Sequence, residues 1–71
     1  MSATDPWVRV EGEPLEFRTE RNGCTCIIRA VRPPDGPIQW ESVVYDDTKP
    51  VHTSYHHTYW GARRNAEQVA A

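Results

Sequence analysis

The dipeptide Asn22-Gly23 is the feature that most constrains the fold of this chain. Asparagine and glycine both accept the positive φ angles of a type I′ turn, whose twist matches that of two antiparallel strands. A two-residue turn at this point sets Arg21 opposite Cys24, and this pairing fixes the register of the whole hairpin. The sequence therefore predicts antiparallel strands directly before and after residues 22–23.

The predicted register separates the side chains of the hairpin into two chemically different faces. One face is mainly apolar and carries Leu15, Phe17, Thr19, Cys26, Ile28 and Ala30. The other face is mainly polar and carries Glu16, Arg18, Glu20, Thr25, Ile27 and Arg29. Glu16 lies opposite Arg29, which adds a favourable pair of charges to the polar face. This sorting is typical of an antiparallel sheet with one face on the core.

Two further segments alternate between apolar and polar residues, as strands do. In "WVRVEG" the valines Val8 and Val10 share one side, and Gly12 then interrupts the pattern. In "IQWESVVY" one face holds Ile38, Trp40, Ser42 and Val44, and the other holds Gln39, Glu41, Val43 and Tyr45. The turn-rich "RPPDGP" separates this strand from the hairpin, and we expect "DDTKP" to end the sheet.

The C-terminal segment has apolar residues at helical spacing. They recur every three or four residues, at Tyr55, Tyr59, Ala62, Ala66 and Val69. Thr53 or Ser54 precedes this pattern and offers a hydroxyl that can cap a helix. We therefore expect one helix from about residue 54 to about residue 70. The alternative is a strand through the Thr-, Tyr- and His-rich "VHTSYHHTYW" that ends near residue 59.

Together these elements predict an α+β fold of the order β-β-β-β-α in a single domain, residues 1–71. A small antiparallel sheet of three to four strands would carry one C-terminal helix packed on one face. The expected core comprises Val8, Val10, Leu15, Phe17, Cys26, Ile28, Ala30, Ile38, Trp40 and Val44 on the sheet. The helix would add Tyr55, Tyr59, Ala62, Ala66 and Val69. A chain this short buries only about 60% of the surface that its unfolded form exposes, so this core is small.

Two sets of residues are candidate contact surfaces. The first lies on the sheet face away from the predicted helix and consists of Ile27, Val43 and Tyr45. An exposed apolar patch rimmed by charges is typical of a contact surface, so this face predicts a homodimer or a protein partner. The second set lies on the helix and consists of Trp60, Arg63 and Arg64. Tryptophan and arginine dominate binding hot spots, which favours a protein contact here as well.

Nucleic-acid binding through Trp60, Arg63 and Arg64 is the first alternative function. An aromatic ring can stack on a base while arginines bind the phosphates. The formal net charge of −2 argues against this alternative, because positive charge dominates nucleic-acid-binding surfaces. Arg63 can instead pair with Glu67 one helical turn later. The sequence therefore favours a protein partner over a nucleic acid.

A zinc-stapled domain that uses Cys24, Cys26, His56 and His57 is the second alternative. Structural zinc sites typically place two to four residues between paired cysteines, and only one residue separates these two. In a strand both cysteines would point to the same face, about 6–7 Å apart, which is too far for an unstrained disulfide. We therefore favour a packing role for the cysteines, with no metal and no cofactor.

The remaining sequence features favour an interaction protein over an enzyme. No catalytic motif is present, and 71 residues leave little room for a substrate pocket beside a core. The first residues lack the basic and apolar regions of a secretory signal, and no stretch approaches the ~20 apolar residues of a membrane span. The sequence thus predicts a cytoplasmic, non-enzymatic protein–protein interaction module. We expect a small inhibitor or adaptor, of the phage or mobile-element type, that occupies a surface on a larger protein or complex.

Overall fold

A computed structural model describes residues 5–71 of the chain. In this part of the chain, five strands form one antiparallel sheet in the order β1-β2-β3-β4-β5, and one helix follows them. The elements are β1 (Val8–Val10), β2 (Glu16–Arg21), β3 (Cys24–Val31), β4 (Gln39–Asp46), β5 (Lys49–His56) and α1 (Tyr59–Val69). The fold is α+β, as predicted, but the described sheet has five strands rather than three to four.

The hairpin of β2 and β3 confirms the predicted turn and register. Asn22 and Gly23 adopt φ angles of 53° and 81°, as a type I′ turn requires. Pairing runs from Arg21 opposite Cys24 to Glu16 opposite Arg29. The turn also holds the end of the helix, because the Asn22 side-chain amide donates a 2.7 Å hydrogen bond to the carbonyl of Ala70.

A second hairpin replaces the predicted start of the helix. Asp47 takes a φ of 61° in the turn between β4 and β5, a left-handed conformation that aspartate tolerates. Strand β5 then pairs with β4 from Lys49 to His56, with an irregularity where Tyr45 lies opposite Pro50 and Val44 lies opposite His52. The prediction that "DDTKP" ends the sheet was therefore wrong. Tyr55 lies on the sheet, is 56% exposed and does not belong to the core.

The helix begins five residues later than predicted, at Tyr59. Its N-cap is Thr58, whose hydroxyl accepts a 3.0 Å hydrogen bond from the N–H of Gly61. Thr53 and Ser54, the predicted caps, lie in β5. A Cβ atom at Gly61 would approach the Thr58 hydroxyl to 3.1 Å, so glycine leaves room for the cap. Within residues 5–71 no helix is long and apolar enough to cross a membrane.

The core lies between α1 and the middle of the sheet. Its buried members are Trp7, Cys26, Ile28, Val44, Ala62, Ala66 and Ala70, with Phe17, Cys24, Trp40 and Tyr59 packed against them. Cys26, Ile28, Val44, Ala62 and Ala66 were predicted for this core, and their burial confirms the phase of β3 and β4. The alanines present only methyl groups to the sheet, so the helix backbone can lie close to it.

The first strand has the opposite phase to the one predicted. Val8 pairs with Arg18 and Val10 pairs with Glu16, which places both valines on the sheet face away from α1. Val8 is 63% exposed, so its assignment to the core was wrong. Trp7 enters the core instead and is only 7% exposed. Alternation predicts which residues share a face, but the pairing with β2 decides which face the helix covers.

Two residues at the ends of other elements were also wrongly assigned to the core. Ile38 precedes the first residue of β4 and is 44% exposed, and Val69 is the last residue of α1 and is 40% exposed. Both continue the apolar spacing of their elements beyond the contact between the helix and the sheet. Periodicity alone does not show where that contact ends.

Candidate functional site

The two predicted contact surfaces lie on different sides of the molecule. Trp60, Arg63 and Arg64 are on α1, whereas Ile27, Val43 and Tyr45 are on the sheet face that points away from α1. We call this whole face of the sheet, on the side away from α1, the bare face. The two sets therefore cannot form one site.

The apolar patch predicted on the bare face is less exposed than the sequence predicts. Ile27 and Val43 lie opposite each other on adjacent strands, and each is only 9% exposed. Tyr45 is half-buried. Ile27 and Val43 are therefore already covered within the single chain, and an exposed aliphatic residue of this face is Val8 at the sheet edge, 63% exposed.

Three charged side chains and one tyrosine beside this pair form a row across four strands, which we call the charge row: Glu16, Arg29, Glu41 and Tyr55. The guanidinium of Arg29 donates to Glu16 at 3.1 Å and lies 3.8 Å from Glu41. The hydroxyl of Tyr55 donates to Glu41 at 3.0 Å, and this hydrogen bond raises the pKa of Tyr55. Because opposite charges alternate along the row, the bare face is stabilised without a second layer.

The helix surface is organised around Arg63, whose side chain is only 14% exposed. Its guanidinium carbon lies 5.6 Å from the centre of the Trp7 ring and 5.1 Å from that of Trp60. Both distances are within the range of a cation–π contact. Arg63, the two tryptophans and the two acidic partners of Arg63 form a cluster that we call the arginine clamp: Asp5, Trp7, Trp60, Arg63 and Glu67.

The acidic members of the arginine clamp neutralise the guanidinium. Asp5 accepts hydrogen bonds from both terminal nitrogens of Arg63, at 2.8 and 3.1 Å. Glu67 accepts from Arg63 Nε at 3.5 Å and from the indole N–H of Trp7 at 3.0 Å. The hydrogen bond from Arg63 lowers the pKa of Asp5. Burial alone would lower the pKa of Arg63, but its hydrogen bonds to Asp5 and Tyr59 raise it, so both groups stay charged.

Trp60 is the largest apolar side chain at the surface of α1. It is 67% exposed, yet its ring packs edge-on against Tyr59 with centroids 5.2 Å apart. Tyr59 in turn contacts Phe17 at 4.9 Å and Trp40 at 5.5 Å. A shallow groove beside the ring is lined by Trp60, Arg63, Arg64 and Glu67. The helix therefore presents a fixed aromatic ring beside the exposed Arg64.

The structure does not bring the four residues of the zinc alternative together. Cys26 shares a row of the sheet with Val44 and His52, whereas His56 lies opposite Trp40, four residues farther along β5. With two strand spacings in addition, Cys26 and His56 are on the order of 16 Å apart. Residues 5–71 contain no group of three or more His, Cys, Asp or Glu side chains arranged to hold a metal ion.

The two cysteines and two histidines of the zinc alternative each lie in a different environment. The Cys26 thiol lies under the helix, 3.9 Å from the carbonyl of Ala66, and burial raises its pKa. His56 lies 2.7 Å from the hydroxyl of Ser54, which donates to Asn65 on α1 at 2.9 Å. His57 follows β5 and is exposed, while Cys24 is half-buried at the edge of the core. The structure thus places Cys26 and His56 in contacts that join the sheet to the helix.

The clamp residues Asp5 and Trp7 were not predicted as site residues. Because Val8 and Val10 were assigned to the core, alternation placed Trp7 on the opposite face, and the wrong phase of β1 concealed its role. Nothing in the local sequence connects Asp5 to Arg63, which is 58 residues away. Comparisons with protein-family models, with curated proteins and with solved structures gave no match.

Proposed function

We propose that this chain is a non-enzymatic protein-binding module that docks through Trp60 and Arg64 on the exposed side of α1. The observation that carries the proposal is that Trp60 is two-thirds exposed while its ring is fixed by Tyr59 and Arg63. A rigid aromatic side chain loses little conformational freedom on binding. Tryptophan and arginine are also the residues most enriched at binding hot spots.

The arginine clamp supports this role by orienting the ring. Arg63 lies against Trp60, and its salt bridges to Asp5 and Glu67 hold the guanidinium in place. Arg64 carries an exposed positive charge on the same helix. The surface that fits this arrangement is an apolar pocket for the indole ring with an acidic side chain near its rim.

The charges of the helix favour a protein over a nucleic acid as the partner. Two acidic side chains neutralise Arg63, so this arginine adds little to the attraction of a phosphate backbone. In the proposal the chain is a small cytoplasmic inhibitor or adaptor that occupies a surface on a larger protein or complex. Binding through Trp60 and Arg64 suffices for such a role, because a protein that blocks a surface need not catalyse a reaction on its partner.

The test is affinity capture with three tagged proteins from the cells that express the chain. They are the wild type, the double variant Trp60→Ala/Arg64→Ala, and the control Val8→Ala/Arg9→Ala. The control removes the same kinds of exposed side chain from the far edge of the sheet. We expect the control to retain the wild-type partner and the helix variant to lose it.

Quantitative binding to the captured partner then gives the size of the effect. A hot-spot side chain contributes at least about 2 kcal/mol, so the helix variant should bind at least about 30-fold more weakly. The far-UV circular dichroism of both variants should match the wild type, because the changed side chains are exposed. Unchanged affinity in the folded helix variant would show that α1 is not the contact surface.

A further inference from the structure

The sheet ends in two unequal edge strands. β1 is three residues long and is soon followed by Gly12 and Pro14, which interrupt the strand. β5 is eight residues long and forms the opposite edge. A long free edge can pair with a strand of another chain, so natural proteins usually protect such edges with charged residues, proline or β-bulges.

The register shows which backbone groups of β5 are free. In an antiparallel ladder, successive residues direct their N–H and C=O groups alternately to the two neighbouring strands. The hydrogen bond from Ala30 N–H to the Leu15 carbonyl sets this phase between β2 and β3. The same alternation continues through the pairs of β3 with β4 and of β4 with β5. It directs the backbone groups of Thr53 and Tyr55 away from β4. Those groups lie at the open edge of the sheet.

Only the first part of β5 carries features that prevent edge pairing. Lys49 is charged, Pro50 lacks an N–H, and the irregular pairing near Val51 interrupts the ladder. Residues 52–56 contain no charged side chain, no proline and no glycine. Thr53 and Tyr55 are both exposed. This part of the edge is therefore open to another strand.

The open part of β5 can pair antiparallel with the same residues of a second copy of the chain. Residues 52–56 read His-Thr-Ser-Tyr-His, so a two-fold axis through Ser54 sets His52 opposite His56 and Thr53 opposite Tyr55. We propose that β5 pairs antiparallel with β5 of a second copy of this chain about that axis. The sheets of the two copies then form one continuous sheet, and Thr53 and Tyr55 exchange backbone hydrogen bonds with Tyr55 and Thr53 of the partner.

Three properties favour a second copy as the occupant of this edge. A two-fold axis satisfies the free donors and acceptors reciprocally, because each copy supplies the groups that the other lacks. A β-branched residue opposite an aromatic residue is a favourable cross-strand pair. Because residues 51–56 carry no Asp, Glu, Lys or Arg, no like charges of these residues meet when the strand pairs with itself.

Amide hydrogen exchange measured by NMR tests both the pairing and its register. The amides of His52, Ser54 and His56 bond to β4 and should be protected at every protein concentration. The amides of Thr53 and Tyr55 should exchange fast in dilute protein and become protected as the concentration rises from about 10 µM to about 1 mM. This alternating, concentration-dependent protection is the result expected only of edge pairing.

Three results would overturn the proposal. The first is a protein that stays monomeric over the whole concentration range. The second is a dimer in which the amides of Thr53 and Tyr55 still exchange fast, which would place the contact elsewhere on the molecule. The third is protection of these two amides only after another protein is added, which would exclude a second copy as the occupant.

A matched pair of lysine substitutions gives an independent test. Thr53→Lys and Val8→Lys each add one charge to an exposed position of the bare face, at opposite edges of the sheet. In sedimentation equilibrium, Thr53→Lys should raise the dimer dissociation constant at least about tenfold, whereas Val8→Lys should leave it unchanged. Equal effects of the two changes would contradict pairing through β5. Neither change touches Trp60, so the outcome is separate from that of the proposed partner binding.

Discussion

Ile27 and Ile28 are neighbours in β3, and they show how differently the two faces of the sheet are covered. Ile28 is fully buried under α1, where the alanines of the helix lie close to the sheet. Ile27 is 9% exposed on the bare face, beside Val43 and the long side chains of the charge row. One face is closed by a rigid helix and the other by flexible charged side chains.

This difference implies that the two faces respond differently to the loss of an apolar group. A cavity under α1 cannot be filled without moving the helix, so its cost is high. A gap on the bare face can be filled by the aliphatic stems of nearby arginines or by water. The helix-covered face should therefore determine the stability of the fold, and the bare face should tolerate change.

The largest effect on stability is expected from Ile28→Ala, and Ile27→Ala is its counterpart on the bare face. The first change should lower the free energy of unfolding by about 2–5 kcal/mol, and the second by about half of that or less. Urea unfolding followed by circular dichroism measures both values. Equal losses would mean that the bare face is packed as rigidly as the helix-covered face.

A smaller effect is expected from Arg29→Met in the charge row. The change retains the aliphatic stem but leaves Glu16 and Glu41 without the cation between them. Because Arg29 is 42% exposed, solvent screens the pairs and the loss should be about 1 kcal/mol. Arg32→Met, at an exposed arginine outside the row, is the matched control.

Salt dependence separates the charges of this row from simple packing. In about 1 M salt the difference between Arg29→Met and the wild type should shrink, because charges at the surface are screened. An undiminished difference in high salt would assign the effect to the Arg29 stem rather than to its charge.

The sequence predicted the β2–β3 hairpin and the faces of β4 because local chemistry determines both. Asn22-Gly23 selects one turn, and this turn fixes every residue pair that follows. The β4–β5 hairpin was missed because its turn contains no glycine and depends on Asp47 in a left-handed conformation. Tyr55 also fits a helical stripe as well as an alternating strand, so periodicity could not distinguish the two.

The contact residues of α1 were predictable only in part. Composition identified Trp60, Arg63 and Arg64 as candidates, and the i, i+4 spacing predicted the pair of Arg63 with Glu67. The arginine clamp depends instead on contacts between the two ends of the chain, and the sequence carries no local signal for such contacts. For this reason the sequence predicted one acidic partner of Arg63, Glu67, and missed the other, Asp5.

Acidic pH should weaken the arginine clamp before it affects the rest of the helix-covered face. The pKa of Asp5 in the folded protein is lowered below its ordinary value of 3.8 by the hydrogen bond from Arg63. Its stabilising contribution is therefore complete above pH 3.8 and is lost as the pH falls through the lower, folded-state pKa. Because Asp5 is exposed, the expected change in overall stability is small, and the fluorescence of Trp7 and Trp60 is the sensitive measurement.

Asp5→Asn is the control for this titration. It removes the titrating carboxyl, so its tryptophan fluorescence should not show the acid transition of the wild type. The same transition in the variant would assign the change to a group other than Asp5.

The smallest effect is expected from Tyr55→Phe at the end of the charge row. The folded-state pKa of Tyr55 is raised above 10.0 because its hydroxyl donates to Glu41. The contribution of this hydrogen bond is thus complete below pH 10.0 and is lost as the pH rises through the folded-state pKa. At neutral pH the variant should melt at nearly the wild-type temperature, because the pair is exposed to solvent. In alkaline titration by ultraviolet absorbance, the ionisation of Tyr55 above pH 10.0 should be missing from the variant. If the absorbance change above pH 10.0 were undiminished, the hydrogen bond to Glu41 would be too short-lived to keep the charge row in contact, and the bare face would be more open to a partner than its charges imply.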